Sequence, residues 1–151
     1  MTTTTRLTQM PPPRAGAVRR LLPLKEAARS ARAWISAELR EWRIAALLDE
    51  AALVASELAA NGIRHGLAPV SMSLSRIRHP RGAPGVRIEM WDRGPGFDAS
   101  EVREGWKHRD DGFAEGGRGL RLVDALAESW GNETRTGSHV VWACLYLPGM
   151  E

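Results

Sequence analysis

The spacing of apolar residues changes once along the first two thirds of this chain, and that change limits the folds open to it. Between residues 25 and 64 apolar residues recur at intervals of three and four, which predicts two amphipathic helices. After Gly66 the interval becomes two, which predicts strands with one buried face. A chain that makes helices first and strands next should pack one layer of helices on a sheet.

The two helices are expected at about residues 25–42 and 44–64, and the two strands at about 70–74 and 86–90. The turn-rich stretch HPRGAPG, residues 79–85, joins the strands into a hairpin. The apolar stripes expected to face the core are Ala28, Ala31, Ile35 and Leu39 on the first helix and Leu47, Ala51, Val54 and Leu58 on the second.

The rest of the chain gives weaker patterns. Residues 18–24 fit an edge strand, and residues 92–119, rich in glycine and charge, predict a loop or mobile lid. A third helix is expected over 120–130, stopped by Gly131, and a last strand over about 139–147. The sum is a two-layer α/β sandwich with a mainly antiparallel, mixed sheet and helices on one face.

Domain organisation and compartment follow from composition. Residues 1–16 are rich in threonine and proline and predict a disordered tail, which leaves residues 17–151 as one domain. No apolar run approaches the ~20 residues needed to cross a bilayer, and the N-terminus lacks a signal-peptide stretch, so we expect a cytoplasmic protein that does not span a membrane. The single cysteine, Cys144, is expected in the core.

The net charge of +3 and the isoelectric point near 9.7 raise the question of nucleic-acid binding. The basic residues are spread along the chain and form no long run, so direct nucleic-acid binding is not expected. An excess of positive charge also suits a protein that holds a triphosphate.

The first segment that can carry chemistry is SELAANGIRHG, residues 56–66. Glu57, Asn61 and His65 are four residues apart, so on a helix they share one face. A carboxylate can act as a general base, and an amide oxygen is a suitable ligand for Mg²⁺. The same spacing also fits the solvated face of an ordinary amphipathic helix.

The second segment is WDRGPGFD, residues 91–98, which places Asp92 directly after a strand and follows it with Gly94 and Gly96. A carboxylate at a strand end can accept a hydrogen bond from an adenine amino group. Glycines then allow a nucleotide to lie close to the backbone. A plain turn with a solvated aspartate is also compatible with this sequence.

The third segment is EGGRGLRLVDALAESWG, residues 115–131, in which Gly116, Gly117 and Gly119 lead into the third predicted helix. Free N–H groups at a helix N-terminus make an anion site, although a flexible lid before an ordinary helix has the same composition. The chain contains no G-x-x-x-x-G-K-[ST] loop and no complete G-x-G-x-x-G after a strand, which argues against a P-loop or Rossmann nucleotide site.

The order of the three segments is more specific than any one of them. E-L-x-x-N-x-x-x-H, then D-x-G-x-G, then G-x-G-L before a helix resembles the three boxes of the GHKL ATPase superfamily. The variants found here most closely resemble the anti-sigma-factor serine kinases of the actinobacterial type. The resemblance spans roughly residues 20–148 and implies the Bergerat fold, with ATP and Mg²⁺ as cofactors.

The resemblance also implies a role for each matching residue. Asn61 would coordinate Mg²⁺, Glu57 would take the proton from a partner's serine, and Asp92 would bind the adenine amino group. Gly94 and Gly96 would shape the adenine pocket. The backbone N–H groups expected to cradle the phosphates belong to Gly117, Arg118, Gly119 and Leu120, with added charge from Arg118.

One position departs from the pattern. The family often has a threonine before its final V-W pair to support adenine, and Val140 stands there, with Thr136 and Ser138 left open as substitutes. The implied function is a serine kinase that phosphorylates an anti-anti-sigma factor and sequesters a sigma factor, with a homodimer as one expected state. The alternative is a non-catalytic ATP-binding module that controls a protein partner through nucleotide-dependent shape.

Overall fold

A computed structural model describes residues 18–21, 25–67, 69–108 and 115–148, with backbone only at 18–21, 107–108 and 115–118. The predicted tail, residues 1–16, lies outside the described residues. The elements in chain order are β1 (Val18–Leu21), α1 (Ala27–Glu41), a 3₁₀ turn (Ala45–Leu47), α2 (Leu48–His65), β2 (Ser71–Arg78), β3 (Pro84–Asp92), α3 (Ala99–His108), α4 (Glu115–Leu126), β4 (Ser129–Arg135) and β5 (Ser138–Tyr146).

The described strands form one sheet in the order β1-β2-β3-β5-β4. Each of their four pairings is antiparallel. The predicted two-layer α/β sandwich is therefore confirmed, but the described strands show no parallel pairing, so the mixed character expected of the sheet is not seen in them. The edge strand expected at 18–24 is confirmed as β1, which pairs with β2.

The helix layer is centred on α2, which packs between α1 and α4 and lies over β3 and β5. The predicted stripe of α2 and its preceding turn is buried throughout: Leu47, Ala51, Val54 and Leu58. On α1 the predicted Ala31, Ile35 and Leu39 are buried, whereas Ala27 is buried in place of Ala28. Because α2 has neighbours on three sides, small alanines such as Ala55 and Ala59 also lie in its buried surface.

The two faces of the sheet carry different residues. The face toward the helices is apolar, and on β5 it includes Val141, Ala143 and Leu145. The opposite face carries a second apolar cluster of Val140, Trp142 and Cys144. Cys144 is thus a buried free thiol, as expected, and burial raises its pKa to about 11.

The predicted lid over residues 92–119 is wrong in part, because it contains α3 and the start of α4. Asp98 begins α3 by accepting the N–H groups of Ser100 at 2.8 Å and Glu101 at 3.3 Å. Val102 and Trp106 pack against the core. This helix has one short apolar stripe, so its apolar residues do not repeat at a helical interval for long enough to predict a helix.

The third predicted helix, residues 120–130, is also wrong at both ends. It begins at Glu115 and ends at Leu126, and Trp130 belongs to β4, a strand that the sequence pattern did not predict. Trp130 is buried on the helix side of the sheet, where its Nε1–H donates to Asp124 Oδ1 at 2.8 Å. Trp130 therefore lies at a helical interval from Ala127 in the sequence, although it belongs to a strand that packs on the same core. A turn containing Gly137, with a φ of 74°, joins β4 to β5.

No helix in the described part of the chain combines the length and the apolar character needed to cross a bilayer.

Candidate functional site

Helix α2 brings the first segment onto the end of β3. A Cβ on Gly62 would lie 3.0 Å from Met90 Cγ, and one on Gly66 would lie 2.6 Å from Asp92 Cγ. Both contacts can form because the two spacings match. The four residues from Gly62 to Gly66 rise about 6 Å along the helix, and the two residues from Met90 to Asp92 rise about 6.6 Å along the strand. The two glycines thus let α2 lie directly on β3, with its C-terminal end against Asp92.

Asp92 is buried, at 4% exposure, and its carboxylate is held from two sides. Oδ1 accepts the backbone N–H of Gly94 at 2.5 Å. Oδ2 lies 3.2 Å from Nδ1 of His139, which is also buried. Because Asp92 and His139 are direct partners in the β3–β5 register, their side chains emerge on the same face of the sheet.

The two glycines of the second segment have separate reasons to be glycine. Gly94 turns the chain so that its N–H reaches Asp92, and a Cβ there would lie 2.9 Å from Oδ1. Gly96 has a φ of 86°, a region that other L residues rarely adopt. A Cβ on it would lie 2.6 Å from Thr134 Oγ1. Gly94 therefore lets the turn pack against Asp92 and the end of α2, and Gly96 lets it pack against β4 and β5.

A polar chain beside Asp92 was not predicted. Nε2 of His139 lies 3.0 Å from Asn132 Oδ1, and this oxygen also accepts the N–H of Phe97 at 3.2 Å. The ring of Phe97 meets the ring of His139 edge to face, with centroids 5.6 Å apart. The available signal was the position of His139 at the start of the last strand.

Val140, which stands where the family often has a threonine that supports adenine, does not lie beside Asp92. Val140 is fully buried on the far side of the sheet with Trp142 and Cys144, so it does not contact Asp92. The side chain that does contact Asp92 is the preceding residue, His139. Thr136 is exposed in the turn between β4 and β5.

The third segment meets the first where α4 packs on α2. A Cβ on Gly119 would lie 2.8 Å from Glu57 Oε1, so the glycine leaves room for this carboxylate. Glu57 is partly exposed and Asn61 is 8% exposed. Within the described ranges neither side chain has a hydrogen bond or an ion pair.

The start of α4 changes how the third segment can offer its N–H groups. The glycines do not precede the helix but lie inside it, because α4 begins at Glu115. The first N–H groups of a helix lack an intrahelical acceptor, and these include that of Gly117. Arg118, Gly119 and Leu120 follow it in the helix, and Leu120 is buried in the core. The side chain of Arg118, which was expected to add charge near the phosphates, is outside the described part of the structure.

The first segment thus contacts each of the other two: Gly66 lies against Asp92 at the end of β3, and Glu57 lies against Gly119 of α4. The sequence model of the histidine kinase-like ATPase domain matches residues 21–145. The chain belongs to this family, which is part of the GHKL superfamily, and membership implies ATP binding. A search of curated proteins found no match to the chain.

Proposed function

We propose that this protein is an Mg²⁺- and ATP-dependent protein serine kinase of the anti-sigma-factor type. The observation that carries the proposal is the position of Glu57, whose carboxylate lies against Gly119 at the start of α4. A free carboxylate next to a helix N-terminus places a general base beside a site suited to phosphates.

Asp92 is the proposed adenine contact. Its carboxylate is buried, its Oδ1 is oriented by the Gly94 N–H, and neither Gly66 nor Gly94 places a side chain against it. A carboxylate oriented in this way accepts a hydrogen bond from an amino group and repels the carbonyl oxygen that guanine has in its place. The selectivity for adenine would thus follow from one acceptor, with Gly96 shaping the turn beside it.

Asn61 is the proposed protein ligand of Mg²⁺. It is a neutral oxygen donor, it is nearly buried, and within the described residues it has no other partner. Mg²⁺ is usually held by few protein oxygens together with substrate phosphates, which fits a single amide. The N–H groups at the start of α4, including that of Gly117, would bind the phosphates.

Glu57 would act on the nucleophile. The Oγ of a partner's serine forms a bond to the γ-phosphorus, the bond from that phosphorus to the bridging β,γ oxygen breaks, and ADP leaves. The serine proton passes to the Glu57 carboxylate. Such transfers depend on positioning and electrostatic stabilisation, which suits a site with few side chains.

The partners of the proposed kinase come from resemblance. They are an anti-anti-sigma factor that carries the serine and a sigma factor that is sequestered, with a homodimer and a cytoplasmic location as parts of the same proposal. Neither direct nucleic-acid binding nor a membrane is required.

The test uses radiolabelled ATP, Mg²⁺ and candidate anti-anti-sigma proteins. Wild type is compared with Glu57→Gln, and with Glu50→Gln as a matched control, since Glu50 is an exposed glutamate near the other end of the same helix. Label on a partner serine in wild type and in the control, but not in Glu57→Gln, supports the kinase. ATP binding without transfer to any candidate favours the non-catalytic regulatory module.

ATP recognition has its own test. Asp92→Ala should weaken ATP binding in calorimetry by at least about tenfold, because a charge-assisted hydrogen bond is lost. Asp49→Ala is the control, since Asp49 is exposed in the first turn of α2. Equal affinity in the folded Asp92→Ala variant would show that adenine binds elsewhere.

A further inference from the structure

The hydrogen bonds of His139 determine how many protons its ring carries. Oδ1 of Asn132 accepts the N–H of Phe97, so the atom at that position is the amide oxygen and not the amide nitrogen. Nε2 of His139 faces the same oxygen at 3.0 Å and must donate to it. One ring proton is therefore already assigned to Nε2.

The other ring nitrogen faces a second acceptor. Nδ1 lies 3.2 Å from Oδ2 of Asp92, and a carboxylate only accepts hydrogen bonds. A neutral imidazole with its proton on Nε2 would direct a lone pair at the Asp92 oxygen. The contact is favourable only if a second proton lies between them, and imidazole is the more basic of the two groups. Both ring nitrogens of His139 thus face oxygen acceptors, an arrangement that favours a ring with both protons.

The second histidine bonded to a carboxylate shows the contrast. Nε2 of His79 lies 3.0 Å from Glu128 Oε2, but its Nδ1 accepts the backbone N–H of Arg81 at 3.0 Å. One donor and one acceptor are the pattern of a neutral ring. The two-acceptor surroundings of His139 are therefore not a general feature of this fold.

We propose that His139 is doubly protonated and positions the Asp92 carboxylate for adenine, so that ATP affinity falls when His139 loses its proton. This inference rests on the proposed adenine-binding role of Asp92. With the imidazolium in place, Oδ2 is held by His139 and Oδ1 by the Gly94 N–H, so the carboxylate cannot rotate. Without the proton, Oδ2 loses its donor and faces a lone pair.

The direction of the pH dependence follows from the charges around the ring. From β3 the facing group is Asp92, from β4 the neutral Asn132 and Thr134, and from the preceding loop Gly96 and Phe97. Among the described residues, Asp92 is the charged group bonded to His139. On β4, Glu133 is paired with Arg135, and both alternate to the opposite face of the strand.

The protonated form pairs with Asp92 and is fully populated at low pH. Removal of the Nδ1 proton takes away the donor to Oδ2, so the affinity should decrease as the pH rises. The loss expected is about tenfold, the value of one charge-assisted hydrogen bond.

The test measures ATP affinity by calorimetry across the titration range of histidine for wild type, His139→Asn and His79→Asn. The amide of asparagine can donate to Asp92 at every pH, so His139→Asn should keep wild-type affinity at low pH and show no loss at high pH. His79→Asn is the matched control and should follow wild type. Titration of the nucleotide phosphates is common to all three proteins and cancels in the comparison.

Two further measurements keep the outcome unambiguous. In nucleotide-free wild type, ¹⁵N spectra of the His139 ring should show both nitrogens protonated, and a neutral ring would overturn the proposal even if His139→Asn failed to fold. A triphosphate of purine riboside, which lacks the amino group, should lose the His139-dependent part of the pH profile. If wild type binds ATP but shares its pH profile with His139→Asn, this inference fails alone. Absence of ATP binding at every pH would overturn the proposed function.

Discussion

Replacing Gly66 by alanine tests whether the end of α2 presses on Asp92. The new Cβ would lie 2.6 Å from Asp92 Cγ and 2.7 Å from the backbone oxygen of Gly62, whereas ordinary contact begins at 3.4 Å. About 0.8 Å must therefore be opened on the carboxyl side. Neither neighbour moves easily, since one is backbone and Asp92 is held by Gly94 and His139.

The expected cost follows from two opposing effects. Overpacking a well-packed site costs about 1–3 kcal/mol, while exchanging glycine for alanine restricts the unfolded chain and returns about 0.4–1 kcal/mol. The net loss of about 1–2 kcal/mol should lower the melting temperature by about 2–8 °C in a chain of this size. The backbone at Gly66 has a φ of −91°, so alanine introduces no backbone strain there.

The assay is thermal unfolding without nucleotide, followed by the fluorescence of the six tryptophans. Gly105→Ala is the matched control, because Gly105 lies within α3 and a Cβ there has no atom within 4 Å. This variant should be more stable than wild type by about 0.5–1 kcal/mol. If Gly66→Ala melts as high as wild type, α2 does not press on Asp92, and the close approach of the first two segments is wrong. Because no nucleotide is present, this result is independent of the proposed activity.

Three other predictions follow from the site and its surroundings. Gly119→Ala should leave stability nearly unchanged, because a gain of about 1 kcal/mol in helix propensity offsets the cost of displacing the flexible Glu57 side chain. The same variant should lower the rate of phosphotransfer about 100-fold. A loss of stability large enough to explain the lower rate would contradict this. Asp98→Ala should cost about 1 kcal/mol through the lost cap of α3, seen as faster amide exchange confined to that helix; uniform exchange throughout the protein would refute it. Cys144, with its pKa raised to about 11 from 9.0, should resist iodoacetamide at neutral pH until the protein unfolds. Because only the unfolded thiol ionises between those two values, the free energy of unfolding should fall as the pH rises through that interval, and rapid alkylation of the native protein would contradict the burial.

The elements that could be predicted from sequence are those whose apolar residues recur at one constant interval. Helices α1 and α2 and the hairpin of β2 and β3 were expected near their observed positions, because their apolar residues follow a single period. Motif order alone implied that Glu57, Asp92 and Gly119 belong to one site, and that remains a prediction; the structure shows Glu57 against Gly119 and, separately, Asp92 against Gly66.

Strand β4 and helix α3 were not predicted, and each has a physical reason. Trp130 follows Ala127 at a helical interval, but the chain leaves α4 at Leu126 and returns to the same core as a strand. Edge strand β4 is buried mainly at Trp130 and Gly131, so it has no clear alternation. The capping sequence D-A-S-E, which begins at Asp98 and continues into the first turn of α3, was the available signal for this helix.

The pairing of His139 with Asp92 could not be predicted, because the register of β5 against β3 cannot be derived from the sequence. Strand β5 is buried on both faces, so its sequence, H-V-V-W-A-C-L-Y after Ser138, lacks the alternation that would show which residues face the helices. A shift of one residue reverses the facing of every side chain. The family pattern drew attention to Val140, but the β3–β5 pairing sets His139 opposite Asp92 and turns Val140 to the far side. The residue beside the proposed adenine contact is therefore a histidine hydrogen-bonded to Asp92, and the pH dependence that we propose for ATP binding is one that a threonine at that place could not provide.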